Sequence, residues 1–229
     1  MVIDLITPAL NEERAIGLVI EDIPKEIIRH IIVCDNGSTD HTATIAREKG
    51  AIVLLELERG YGAACLKGMN WLQNLSDHEK PDIVVFIDAD YSDFPEEIPE
   101  LVKPILENKA DFVIGSRVLG NAERGSLTFV QKFGNWLASA LIRFLYGYQF
   151  TDLGPFRAIR YSTLMNLGMK DRNYGWTVEM QVRAAKQKIR CTEIPVSYKN
   201  RVGTSKVSGT IKGSILAGYK ILYTIFKLL

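Results

Sequence analysis

Apolar residues along this 229-residue chain fall in short, nearly continuous runs separated by stretches of helical periodicity. VIDLIT at 2–7, HIIVC at 30–34, AIVLLEL at 51–57, IVVFID at 83–88 and DFVIGS at 111–116 each have the length and β-branched content of strands buried on both faces. Between them, 12–21, 39–49, 61–75 and 95–108 space their apolar residues as amphipathic helices do. Strands alternating with helices in this way predict an α/β fold with a mostly parallel sheet and right-handed crossovers.

The second half changes character. A long helical pattern covers 126–146, a turn and short strand follow in TDLGPFRAIR at 151–160, then a helix at 176–187, a strand in CTEIPVSY and a final helical stretch. No repeat or low-complexity linker divides the chain, so we read a single domain over 1–229, with 1–117 facing one ligand and 118–229 closing the active edge of the sheet. At 47% hydrophobic and 24% charged the composition is that of an ordinary globular protein, and a net charge of +1 gives no electrostatic case for a nucleic-acid partner. Cys34, Cys65 and Cys191 lie far apart and fit no zinc or redox spacing. The N-terminus has no basic region or cleavage site, and no apolar run reaches the length of a spanning helix. A cytoplasmic protein with reduced thiols is expected.

The candidate chemistry sits where strands end. IVVFIDAD closes on Asp88 and Asp90, and carboxylates at the C-terminal end of a buried parallel strand lie where open α/β sheets hold ligands. Two hard oxygen donors there suit Mg2+ or Mn2+, which shares its remaining positions with water and phosphate oxygens; capping of the next helix would explain them about as well. The first strand exit, TPALNEE, lacks the glycine fingerprint of dinucleotide sites; Pro8 stiffens it, Asn11 can cap a helix and the glutamates complement its dipole. At the second, DNGSTD, turn and capping chemistry accounts for all but Asp35, whose carboxylate can accept hydrogen bonds from a nucleobase. The third, ERGYGAACLKG, puts glycines and small residues at a helix start, for close approach of a ligand or for tight helix packing.

In this order and spacing, PALNEE, DNGSTD, GYGAA and DAD resemble the family 2 glycosyltransferases of GT-A fold, most nearly the branch of dolichyl-phosphate mannose and polyprenyl-phosphate glucose synthases. The resemblance implies a Rossmann-like sheet flanked by helices, with a C-terminal helical extension on the acceptor side. It implies a nucleotide-diphosphate sugar, UDP- or GDP-linked, as donor, with Pro8, Leu10, Asn11, Glu12, Asp35, Lys67 and Ala89 about the nucleotide. It also implies a D-x-D metal site of Asp88 and Asp90 holding Mg2+ or Mn2+. The family often carries Gln two residues beyond the second aspartate; this chain has Ser92 and then Asp93, either of which can complete that site. NRVGTSK at 200–206 resembles the basic loop that closes on the diphosphate, through Arg201, Ser205 and Lys206. DLGPFR at 152–157 resembles the acceptor-side segment, with Pro155 inserted between the usual glycine and phenylalanine. By that match Asp152 positions the acceptor or acts as base, Arg157 binds an acidic acceptor group, and Glu179 supplies a second catalytic carboxylate, with helix capping as its alternative role.

The implied reaction is inverting sugar transfer, with a polyprenyl phosphate as leading acceptor. A soluble hydroxyl acceptor is the alternative, and a non-catalytic nucleotide-binding or membrane-scaffold protein is the rival outside enzymology. Segments 129–150 and 214–229 are rich in aromatics and poor in charge, which suits either the inner membrane surface or a core or homodimer contact.

Overall fold

The computed structural model describes residues 1–203 and 211–229, and the side chains of all of these except 211–215. Seven strands form one sheet: β1 (Ile3–Ala9), β2 (Ile28–Asp35), β3 (Ile52–Leu55), β4 (Ile83–Phe86), β5 (Phe112–Ser116), β6 (Arg157–Arg160) and β7 (Cys191–Pro195). Their order is β3-β2-β1-β4-β6-β5-β7, parallel except for β6, which runs antiparallel to both its neighbours. The apolar runs explain the centre of the sheet, since every residue of β1 and β4 is buried.

Alternate residues of these strands feed two core layers. Ile6, Val84 and Phe86 face one side, where they join α3 (Tyr61–Gln73), α5 (Phe129–Tyr146), α6 (Tyr161–Leu167), α7 (Trp176–Lys186) and α8 (Ile211–Lys227) around Trp176. Leu5, Ile83 and Val85 face the other, against α1 (Ile16–Asp22) and α4 (Ile98–Leu106). A third cluster, including Ile16, Ile20, Val33 and Ala46, packs α1 and α2 (Thr42–Glu48) onto the sheet. Each buried Leu, Ile or Phe contributes about 1.5–3 kcal/mol, so these layers carry the fold.

The chain runs outward from β1 through β2 to β3 and then returns to the other side of β1 for β4. That reversal opens a crevice beyond the carboxyl ends of β1 and β4, where ligands of such sheets bind. One expected element is displaced. α1 begins at Ile16 rather than residue 12, has Ala15 as its cap and carries no acid in its first turn. Asn11 and Glu12 therefore precede the helix and do not cap it; they belong to the exit loop itself. Among the described residues no helix is long and apolar enough to cross a membrane.

Candidate functional site

The exits of β1 and β2 are stitched together by side chains. Asn11, at a positive φ of 52°, accepts from the Thr39 N–H through Oδ1 (2.8 Å) and donates its own N–H to Ser38 Oγ (2.9 Å). The Glu12 N–H donates to Thr42 Oγ1 (2.8 Å), and buried Asp35 accepts from the Ser38 N–H (3.2 Å). Asn36 performs a structural task that its turn-forming character did not announce. Its amide donates to the carbonyls of Glu56 and Glu58 (3.0 and 2.7 Å) and accepts from the Gly60 N–H (2.8 Å), fixing the third exit against the second. Gly60, at φ 152°, and Gly62 serve packing: a Cβ on either would lie 1.9 or 2.0 Å from the carbonyl oxygen of Arg172 or Asp171.

The crevice widens into a cleft of about 1680 Å3. Pro8, Leu10, Glu12, Asn36 and Arg59 are among its lining residues, together with Asp88, Ala89, Asp90 and Arg201. The Tyr61 hydroxyl donates to Asp88 Oδ1 at 3.0 Å. Burial, and then the neighbouring charge of Asp90, push Asp88 up to about 7. Asp90 is buried and fully engaged: Oδ1 accepts from the Ser92 N–H (3.0 Å) and hydroxyl, and Oδ2 pairs with the Arg201 guanidinium. Arg201 also lies 3.8 Å from Glu12 Oε1, and the Val202 N–H donates to the Asp90 carbonyl (3.0 Å).

Among the described residues, no three His, Cys, Asp or Glu side chains converge as a ready-made metal cage. Ser92 spends its hydroxyl on Asp90. Asp93 is buried with neither oxygen hydrogen-bonded, and desolvation, then the charges of Asp88 and Asp90, raise it well above the carboxylate range. Asp93 is not among the residues lining the cleft. What does face the cleft is a pair of carboxylates, one of which resists ionising, beside an arginine that already supplies positive charge. Two carboxylates suffice for Mg2+ or Mn2+ when phosphate oxygens complete the coordination, so the donor set fits such an ion.

The acceptor-side expectations need correction. Asp152 reaches the cleft but is locked to Arg117, accepting from its N–H (2.8 Å), Nε (2.8 Å) and Nη2 (2.7 Å). Burial works to raise its pKa, yet those bonds and the guanidinium charge hold it below the ordinary value. A carboxylate so satisfied is a poor general base; its work is to aim Arg117. Arg157 is wholly buried and spends its donors on the carbonyls of Leu153, Gly154 and Thr177, so it cannot receive an acceptor from the cleft. Desolvation lowers it to about 10. Glu179 is likewise buried and accepts from the N–H groups of Lys170 and Asp171 and from Arg183 Nε, holding the loop that packs on the glycine turn. Lys67 lines a separate cavity of about 530 Å3, with Glu56, Asn70 and Lys170, and is not among the residues lining the cleft. Ser205 and Lys206 lie outside the described residues.

Arg117 is a charged cleft residue that the sequence motifs do not include. It follows β5 directly, in DFVIGSR, at the same strand-exit position that drew attention to Asp35 and Asp88. Beyond it the cleft continues between α5 and α8, along Leu127, Val130, Phe133, Trp136, Ile221 and Leu222.

A seven-stranded sheet of this order, with carboxylates and an arginine at its switch point, has the architecture of nucleotide-sugar transferases. A family model described as glycosyl transferase family 2 matches residues 4–168, and the chain belongs to that family. An uncharacterised glycosyltransferase of Mycobacterium tuberculosis is 37% identical over 218 residues, 94% of each chain. An undecaprenyl-phosphate mannosyltransferase of Micrococcus luteus is 30% identical over 220 residues, 91% of this chain and 88% of its own. A UDP-N-acetylglucosamine–dolichyl-phosphate N-acetylglucosaminyltransferase of Methanococcus voltae is 28% identical over 250 residues, 98% and 94%. Among solved structures, glucosyl-3-phosphoglycerate synthase from M. tuberculosis, in complex with Mn2+, UDP and phosphoglyceric acid, superimposes with a TM-score of 0.76. It is 23% identical, and the match covers 99% of this chain and 78% of that one. The GT-A architecture and the glycosyltransferase class are thereby established.

Proposed function

We propose that the protein is a metal-dependent, inverting glycosyltransferase that moves a sugar from a UDP- or GDP-sugar to a polyprenyl phosphate at a membrane surface. The observation that carries this reading is the continuation of the cleft between α5 and α8 along the apolar side chains of Leu127, Val130, Phe133, Trp136, Ile221 and Leu222, as an isoprenoid chain would need. The chemistry of the centre agrees. Each cleft-lining carboxylate named above has a partner: Glu12 and Asp90 face Arg201, Asp88 accepts from Tyr61 and Asp152 is bound by Arg117. A hydroxyl acceptor needs a base, whereas a phosphate monoester is already anionic near neutral pH.

In this reading Pro8, Leu10, Asn11, Glu12, Asp35 and Ala89 surround the nucleoside, and Asp88 with Asp90 would hold Mg2+ or Mn2+. When bound, that ion neutralises charge on the departing diphosphate. Arg201 shares this task, and by resemblance Ser205 and Lys206 do too. Arg117 holds the acceptor phosphate: Asp152 occupies its Nε and Nη2, leaving Nη1 uncommitted among the described residues. An acceptor oxygen then attacks the anomeric carbon as the bond from that carbon to the diphosphate oxygen breaks, and the diphosphate leaves on the opposite face. Exposed Phe129, Phe133, Trp136 and Phe144 of α5, with Tyr219 and Phe226 of α8, suit contact with lipid near the groove mouth. Full-length relatives named for dolichyl- and undecaprenyl-phosphate transfer support the acceptor.

The test is transfer from labelled UDP- and GDP-sugars to undecaprenyl phosphate in micelles or to 3-phosphoglycerate in buffer. Label entering the lipid fraction is expected; transfer to phosphoglycerate alone would replace the lipid with a soluble acceptor.

A further inference from the structure

We propose that Arg201 and a divalent cation exclude one another at Asp90, so that the cation binds firmly only when a nucleotide diphosphate is present to take Arg201 in exchange. This rests on the cation site put forward above. Both oxygens of Asp90 are committed, Oδ1 to the Ser92 N–H and hydroxyl and Oδ2 to the Arg201 guanidinium. The Asp90 side chain is only 6% exposed, and the Val202 N–H on its carbonyl draws the arginine-bearing segment over it. A cation approaching Asp90 therefore meets a positive charge already seated on its ligand. Two cations in contact repel, the more so where water is scarce. Moving Arg201 aside breaks a charge-assisted pair and exposes a guanidinium that needs new acceptors.

The geometry supplies an exit. The Arg201 side chain is 30% exposed, lines the cleft, and has Glu12 as a second anionic neighbour at 3.8 Å. A diphosphate beside Asp88 and Asp90 offers the oxygens that a guanidinium binds best, so Arg201 can pass from carboxylate to phosphate without losing an ionic partner. Diphosphate and cation then favour each other's binding reciprocally. The exchange makes the apo protein a weak metal binder by construction, with the arginine holding Asp90 neutralised until a donor arrives.

The experiment is a Mn2+ titration followed by electron paramagnetic resonance, whose free-ion signal falls as the metal binds. It uses the whole chain as wild type, Arg201→Gln and Arg201→Lys, each with and without UDP or GDP, with thermal melting to confirm folding. Without nucleotide, Arg201→Gln is expected to bind Mn2+ about tenfold more tightly than wild type, the order set by one charge-assisted pair. Arg201→Lys, which keeps the charge, should stay near wild type. Nucleotide should tighten Mn2+ on wild type far more than on Arg201→Gln. A folded Arg201→Gln that binds Mn2+ no better than wild type overturns the exchange while leaving the cation site standing. Wild type that takes up no Mn2+ with either nucleotide overturns the cation site, and the exchange with it.

Discussion

The two ends of the cleft use their polar residues in opposite ways. On the donor side, Asn11, Asp35 and Asn36 knit loop backbone together, while Asp88, Asp90 and Arg201 stand at the cleft with charge that a ligand can recruit. On the acceptor side, Arg157 and Glu179 are consumed internally, and Asp152 serves Arg117, which alone of these four presents new binding capacity to the cleft. Motif position thus picks out residues that line the crevice at the exit of β4, Asp88 and Asp90, whereas Asn11 and Asp35 are not among the lining residues. It fails one residue layer deeper, where burial forces every donor and acceptor to find a protein partner.

The sharpest contrast to impose is Asp90→Asn. It should reduce transfer by about a thousandfold, by removing a carboxylate that would hold the divalent cation against the leaving diphosphate, while leaving the melting temperature near wild type. Retained turnover would deny the donor side its catalytic carboxylate. Next comes the pair Arg117→Gln and Arg157→Met. Losing Arg117 should raise the acceptor KM by about a hundredfold in a folded protein, the scale of a charged hydrogen bond in a desolvated site. Losing Arg157 should instead cost about 3 kcal/mol in denaturant unfolding, because three carbonyl groups lose their donor. The reverse pattern would restore Arg157 as the acceptor residue.

A smaller effect follows from Asp88. Its pKa is raised from 3.8 to about 7 by burial first and Asp90 second, so the native state holds this proton more tightly than the unfolded chain does. Its contribution to stability of the metal-free protein is therefore greatest below pH 4 and lost as pH rises towards 7. A cation at Asp88 must displace the same proton. Mn2+ affinity in the presence of nucleotide should fall by about tenfold per unit below pH 7, and calorimetry at pH 7.5, 6.5 and 5.5 would show it. A flat profile would mean that Asp88 is ionised throughout. The smallest effect belongs to Lys67→Met, which should change nucleotide affinity by less than about twofold, since that ammonium lies in another cavity. A tenfold loss would bring α3 back into the donor site.

These contrasts also mark what the sequence could convey. Continuous apolar runs foretold the strands, and a run ending in Asp88-Ala89-Asp90 marks a strand exit, although helix capping would place aspartates there about as well. The start of α1 was misread because Asn11 and Glu12 have capping chemistry, yet long-range partners at Ser38, Thr39 and Thr42 claim them. Those pairings join residues some thirty positions apart and leave no local periodicity. The antiparallel direction of β6 is equally silent, since a four-residue strand reads the same either way. Glycines 60 and 62 suit a ligand cradle and tight packing equally in sequence, and the backbone they accommodate is the 171–172 loop, brought there by tertiary packing. Arg117 was within reach, because the strand-exit logic applied to β2 and β4 selects it at the end of β5.

The most direct test is calorimetric titration of UDP and of GDP into the purified chain, each with and without Mn2+. One nucleotide should bind tightly with Mn2+ and much more weakly without it, naming the base of the donor and tying it to the Asp88–Asp90 centre. A folded protein that binds neither nucleotide, or binds one equally well without metal, would contradict a metal-assisted nucleotide-sugar site.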